Sequence, residues 1–180
     1  DIWYAQTTLE KDEVTKALVS QEQIFCNDRS ASSDQTAPWT STGEAYFYGA
    51  YGRLYSIINK TPMLTCPKES DKFTSKDSSV GNKALDYPVG LITADEVAMA
   101  GGVVNGDDNS SYYLYTGQYY WTGSPRSNDT NGLSIEFVAG IEYLDNNVTN
   151  SSAGIRPVVS LSSKAKLLGS GTYNDVYRVN

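Results

Sequence analysis

The chain contains no histidine, and that absence removes the usual Cys/His zinc sites and the Ser–His and Cys–His nucleophile pairs together. A serine nucleophile would need an unusual base, and no Gly-x-Ser-x-Gly elbow is present. There is no run of basic residues: 14 Lys and Arg stand against 21 Asp and Glu, for a formal charge of −7. Nothing in that balance tracks a phosphate backbone, so nucleic acid is excluded as an expected partner. No stretch approaches the roughly 18 to 20 consecutive apolar residues of a membrane span, and no basic-then-apolar segment opens the chain. Membrane insertion by this domain is therefore not expected. Phenylalanine is scarce, 4 residues against 14 tyrosines, so much of the apolar area must come from rings with a polar tip.

What is present fits one domain. At 180 residues roughly 70% of the unfolded chain's surface can be buried. The sequence opens at Asp1 rather than Met. We expect residues 1–180 to form a single domain taken from a longer surface or phage protein. Cys26 and Cys66 are an even pair, which reads as a disulfide or as two buried free thiols in a reducing compartment. A bridge between them would close a loop of about 40 residues, worth roughly 4 kcal/mol on the chain-entropy model.

Periodicity predicts a helix within the first 25 residues, with Leu9, Val14 and Leu18 on one face and Thr7 with Glu10 at capping-box spacing. Segments 27–43 and 68–83 read as polar surface loops, and 45–58 is open to strand or short helix because Gly49 and Gly52 interrupt it. Segment 87–92 reads as a buried strand running into a helix that starts at Thr93, with a Thr93–Glu96 capping box and an Ile92–Val97 staple. Gly101 and Gly102 should stop that helix. Beyond it, 112–121, 133–144, 154–161 and 175–179 read as strands, with Ile135, Phe137, Ala139, Ile141 and Tyr143 on one face of the second. The class expected is α+β, two helices packed on short, irregular antiparallel sheets.

Four segments carry a resemblance. They are Phe25-Cys26-Asn27-Asp28-Arg29-Ser30, the run from Tyr87-Pro88-Val89-Gly90 through Thr93-Ala94-Asp95-Glu96-Val97, Tyr120-Trp121-Thr122-Gly123-Ser124-Pro125, and Gly154-Ile155-Arg156-Pro157-Val158. Together they resemble an uncharacterised domain family of bacterial surface proteins and phage structural proteins that closes on a Gly-[Ile/Val]-Arg-Pro-Val motif. Their order is similar to the C-type-lectin-like fold of formylglycine-generating enzymes and of the variable proteins of diversity-generating retroelements. One departure stands near the end, where relatives carry Pro-Tyr after a Gly-x-Gly-Thr turn and this chain has Val176-Tyr177 after Gly169-Ser170-Gly171-Thr172. The resemblance implies an extracellular, cell-surface or virion location. It implies no catalysis here, because the late cysteine pair of the formylglycine enzymes is missing, as is the calcium motif of sugar-binding lectins.

Residues 105–131 mix tyrosine with Asn, Asp, Ser and Gly, the composition of binding loops, where rigid rings give contact area and small polar groups adapt. Tyr112, Tyr113, Tyr115, Tyr119, Tyr120, Asn128 and Asn131 are the candidate contacts there, with Asn146 and Asn147 in a second loop over 146–153. On a two-faced strand roughly half of these rings must pack inward, and Trp121 is expected in the core with Tyr113, Tyr115 and Tyr119 outward. Asp107, Asp108 and Asn109 read as a polar turn rather than a metal site, Asp95 and Glu96 as capping residues, and the Asp28–Arg29 pair as an anchor for the first loop. Arg156 reads as a loop tie through a carboxylate, or as a clamp for an acidic ligand. Asn-x-Ser/Thr sequons at Asn59, Asn109, Asn128, Asn147 and Asn150 matter only in a glycosylating host. No catalytic residue, metal or cofactor is assigned. A non-catalytic module that binds a protein or glycan is the expected function, with a self-associating structural subunit, pilin-like or decorating a capsid or tail, as the alternative.

Overall fold

The structure is a computed structural model that describes residues 2–32, 46–55, 61–75, 83–102, 112–129, 132–138, 144–148, 153–172 and 174–180. Among the described residues mixed α and β structure is present, in five short helices and small sheets that are mostly antiparallel. The expected N-terminal helix is broken into three pieces, α1 (Ile2–Gln6), α2 (Thr8–Lys11) and α3 (Glu13–Ala17). Local side-chain bonds account for the breaks. The Thr7 hydroxyl donates back to the Tyr4 carbonyl at 2.8 Å instead of capping α2, and Asp12 starts α3 by accepting from the Thr15 amide at 2.8 Å. The Thr7–Glu10 capping box does not form, and Val14 is exposed rather than packed; Tyr4 and Val19 are the buried residues of this region.

Segment 45–58 resolves into both of its readings among the residues described, strand β2 (Tyr46–Phe47) followed at once by α4 (Gly49–Leu54). The glycines permit close packing: a Cβ on Gly49 would lie 2.7 Å from Asp28 Oδ2 and 2.8 Å from Arg53 Nη1. The first loop is not a surface loop at its start, because Asp28 and Ser32 are buried. Nor is the second loop at 71–74, where Asp71 and Thr74 are buried and β3 (Lys72–Thr74) pairs with β1 (Phe25–Cys26) and with β4 (Lys83–Ala84), the latter in parallel. Cys26 and Cys66 are joined in a disulfide, Cα to Cα 5.5 Å, which ties β1 to the segment before β3.

Helix α5 (Ala94–Met99) begins as its sequence dictates. Thr93 accepts from the Glu96 amide at 3.1 Å while the Glu96 carboxylate accepts from the Thr93 amide at 2.8 Å, and Ile92 packs on the cluster that contains Val97. It ends in a Schellman arrangement, with Gly101 at φ 97° and amides of Gly101 and Gly102 donating to the carbonyls of Ala98 and Val97. Only Gly90–Leu91 of the expected 87–92 strand is a strand, β5, paired with β9 (Pro157–Val158). The main sheet runs β2, β6 (Tyr120–Asp129), β7 (Gly132–Val138), β8 (Leu144–Val148), all antiparallel. A last two-stranded sheet joins β10 (Leu167–Leu168) to β11 (Arg178–Val179).

The core lies between α4, α5 and the inner face of β6–β7, built from Ala50, Leu54, Ala94, Val97, Tyr112, Tyr120 and Val138. Arg53 donates to both Asp95 carboxylate oxygens at 2.8 Å and pairs with Asp28 at 2.8 Å, joining the first loop, α4 and α5. Asp95, read as a capping residue, is instead a buried partner of Arg53 that also accepts from the Met63 amide at 3.0 Å. Asp28 and Arg29 do not pair with each other, because Arg29 turns to Asp71 at 2.7 Å and Asp28 turns to Arg53.

Replacing Arg53 with Ala leaves two buried carboxylates unneutralised, so urea denaturation should show a loss of about 3 to 5 kcal/mol. A loss below about 1 kcal/mol, the range of exposed pairs, would show that this cluster does not hold the fold.

Candidate functional site

Strand β6 sets the site. Between Trp121, opposite Phe137, and Pro125, opposite Ile135, it advances four residues while β7 advances two, so β6 bulges outward from regular pairing. The bulge turns Thr122 and Ser124 inward, where the Thr122 hydroxyl donates to the Glu136 carbonyl at 2.6 Å and Ser124 accepts from the Ala94 amide at 2.9 Å. It also brings the Gly123 amide onto the Ile92 carbonyl at 2.8 Å, docking β6 on the start of α5.

Strand β7 is unbroken against β8, so Leu133, Ile135 and Phe137 share one face, as the alternation predicts, and Ser134, Glu136 and Val138 share the other. The inner three are all buried, Glu136 completely, with Tyr55 donating to its carboxylate at 3.1 Å. On the other face Phe137, itself buried, forms the centre of an aromatic row, 5.7 Å from the Tyr119 ring and 5.9 Å from Trp121. Trp121 is half-buried in this row rather than in the core.

The segment before β6 is not the predicted strand. Residues 112–119 form turns, and the strand begins only at Tyr120. Two of the candidate tyrosines face inward and are corrected accordingly: Tyr112 is 5% exposed and Tyr120 1% exposed, both in the core cluster and closed to a partner. Tyr115 is half-buried and packs against that cluster. Tyr113 and Tyr119 do face solvent, 72% and 53% exposed.

Arg156 fixes this arrangement. Its guanidinium lies 4.3 Å from the Tyr120 ring, donates to the Leu114 carbonyl at 2.6 Å and bonds the Thr116 hydroxyl. It is a loop tie, made through a carbonyl, a hydroxyl and a ring rather than through a carboxylate. Beside it, Gly154 exchanges backbone bonds with the start of β6, accepting from the Trp121 amide at 3.0 Å and donating to the Tyr119 carbonyl at 2.8 Å. The Gly154-Ile155-Arg156-Pro157 segment therefore holds both ends of the turn that presents Tyr113 and Tyr119.

Asn128 is half-buried on β6, its backbone paired with Leu133 and Tyr46. Asn146 and Asn147 stand on β8, in register with Glu136 and Ile135, so they belong to a strand rather than a loop. Asn131, the Asp107-Asp108-Asn109 turn and residues 139–143 and 149–152 lie outside the described residues. Among the described residues no group of three or more His, Cys, Asp or Glu side chains is placed to hold a metal ion. Sequence reading missed the aromatic row, because Trp121 and Phe137 lie in different strands and only the register brings them together.

No protein-family model, curated protein or solved structure matches this chain.

Burial raises the phenol pKa of Tyr112 and Tyr120 above the ordinary 10.0, with the neighbouring Tyr120 ring adding to the shift at Tyr112 and Arg156 opposing it at both. A raised folded value means the neutral phenols contribute stability that is fully present below pH 10 and is lost as pH climbs through the folded values. Stability measured across alkaline pH should hold level to about pH 10 and then fall, the fall being smaller in Tyr112→Phe; a decline that starts well below pH 9 would contradict the burial of these two hydroxyls.

Proposed function

We propose that the chain is a non-catalytic recognition module of C-type-lectin-like type, displayed on a cell surface, pilus or phage appendage, that captures a protein or glycan through the outer face of its main sheet. One observation carries the reading: Tyr113 and Tyr119 are held out in solvent on a turn that Arg156 and Gly154 fix to the framework. A turn whose backbone is tied down before contact loses less entropy on binding than a loose one. The Cys26–Cys66 bridge supports an oxidising, extracellular setting. No helix among the described residues is long and apolar enough to cross a membrane. The closing Gly-Ile-Arg-Pro segment supports the family resemblance, since its arginine and glycine make the contacts that frame the site.

A second reading, a self-associating structural subunit, draws on the C-terminal hairpin. Leu167, Leu168, Val176, Tyr177 and Val179 are all exposed there, and a two-stranded sheet gains stability from a further partner.

Tyr113→Ala combined with Tyr119→Ala should abolish capture on a protein and glycan array while shifting the melting temperature by no more than about 2 °C, since both rings are exposed. Retained capture would sink the recognition reading. Sedimentation of the unaltered chain decides the second reading: a concentration-dependent oligomer that Leu168→Asp dissolves would favour it, and a monomer at all concentrations would exclude it.

A further inference from the structure

Residues 61–66 form neither helix nor strand and run over the Arg53 cluster. The Thr61 amide donates to the Arg53 carbonyl at 3.1 Å, and the Met63 amide donates to the Asp95 carboxylate at 3.0 Å. At the far end Cys66 closes the segment onto β1 through its bond to Cys26. Leu64, 66% exposed, and Thr65 meet solvent on one side. The same two residues, with Met63, line a polar cavity of about 50 Å³ whose wall also contains Asp28, Arg53 and Asp95. Residues that touch both water and the cavity form a strap between the two. Beneath it the Arg53 side chain is 17% exposed and its carboxylate partners 6% and 4%, so the strap completes the enclosure of these charges.

The core has no share in this closure. Neither cysteine and no strap residue belongs to the cluster that α4, α5, β6 and β7 build. Strand β1, to which the strap is tied, is two residues long and lies at the edge of its small sheet. A covalent bond between two core elements supports the whole fold, whereas a bond between an edge strand and a surface segment chiefly governs a local opening. Both cysteines are half-buried rather than sealed, which leaves the bridge within reach of an attacking thiol.

We propose that the Cys26–Cys66 disulfide is a redox latch: its reduction releases the strap 61–66 from the Arg53 cluster and opens the cavity to water, while the core stays folded. The reductant is a dithiol. One of its thiolates attacks the Cys66 sulfur and forms a mixed disulfide, and Cys26 leaves as a thiolate that takes up a proton. The second thiol of the reductant then closes on the first as its own disulfide and expels Cys66, which is protonated in turn. Two electrons and two protons have passed to the protein. Water entering under the strap raises the local dielectric and weakens the attraction of Arg53 for Asp28 and Asp95. The state of the bridge is thereby passed to α4 and α5, the helices that Arg53 joins. The latch does not depend on the recognition reading above.

The test treats isotope-labelled protein with dithiothreitol, without denaturant, and follows it by NMR. Reduction should go to completion and move the Thr61, Met63 and Leu64 amides to random-coil positions, while Val97, Gly123 and Val138 keep their dispersed ones. The Arg53 Nε–H, which donates to Asp95 at 2.8 Å, should exchange with solvent at least about tenfold faster once the strap is released. Reoxidation should restore the starting spectrum, and Cys26→Ser combined with Cys66→Ser should give the reduced spectrum with no reductant present. A bridge that yields only in denaturant, a collapse of all dispersion on reduction, or Thr61 and Met63 amides left in place would each overturn the latch.

Discussion

Arg53 is the constraint on which the rest of the structure depends. Its guanidinium sits between two buried carboxylates, Asp28 from the first loop and Asp95 from α5, and none of the three can leave without stranding charge in the interior. Gly49 has no side chain because one would collide with this cluster. The result fixes α4 and α5 against the same side of the main sheet and commits the inner face of β6 and β7 to the core. The opposite face of β7 carries Leu133, Ile135 and Phe137, of which Leu133 is exposed, Ile135 half-buried and Phe137 buried.

That division explains the placement of the aromatic residues. Tyr112 and Tyr120 go inward with Val138 and pack against Ala50, Leu54, Ala94 and Val97 of the two helices. On the opposite face Tyr119 and Trp121 each pack against Phe137, which is itself buried, so that Trp121 is half-buried and Tyr119 alone of the three is exposed. Arg156 links the two sets, since the same guanidinium covers the inward Tyr120 and holds the turn that carries the outward Tyr113.

Much of the fold was legible where the signal is local. The Thr93–Glu96 box, the Gly101 stop and the shared face of Ile135 and Phe137 depend on neighbours three or fewer residues apart, and they stand as read. Signals that compete locally were misjudged: Thr7 and Asp12 both suit helix starts, and only the bonds actually formed show that Asp12 wins. The Arg53 cluster was illegible because Asp28 and Asp95 lie far from Arg53 along the chain and look like ordinary polar residues. Within the candidate site, composition marked the correct stretch but not which tyrosines face out, because 112–119 is a turn without the alternation of a strand. The β6 bulge, which shifts the facing pattern beyond Trp121, has no signature beyond Gly123 and Pro125.

A charge-locked inner face buries Tyr112 and Tyr120 and leaves Tyr113 and Tyr119 exposed to solvent. Nitration of the folded chain by tetranitromethane, mapped residue by residue by mass spectrometry, tests it most directly. Tyr113 and Tyr119 should be modified early while Tyr112 and Tyr120 stay protected until the chain unfolds. Protection of Tyr113 and Tyr119, or early modification of Tyr112 and Tyr120, would contradict it.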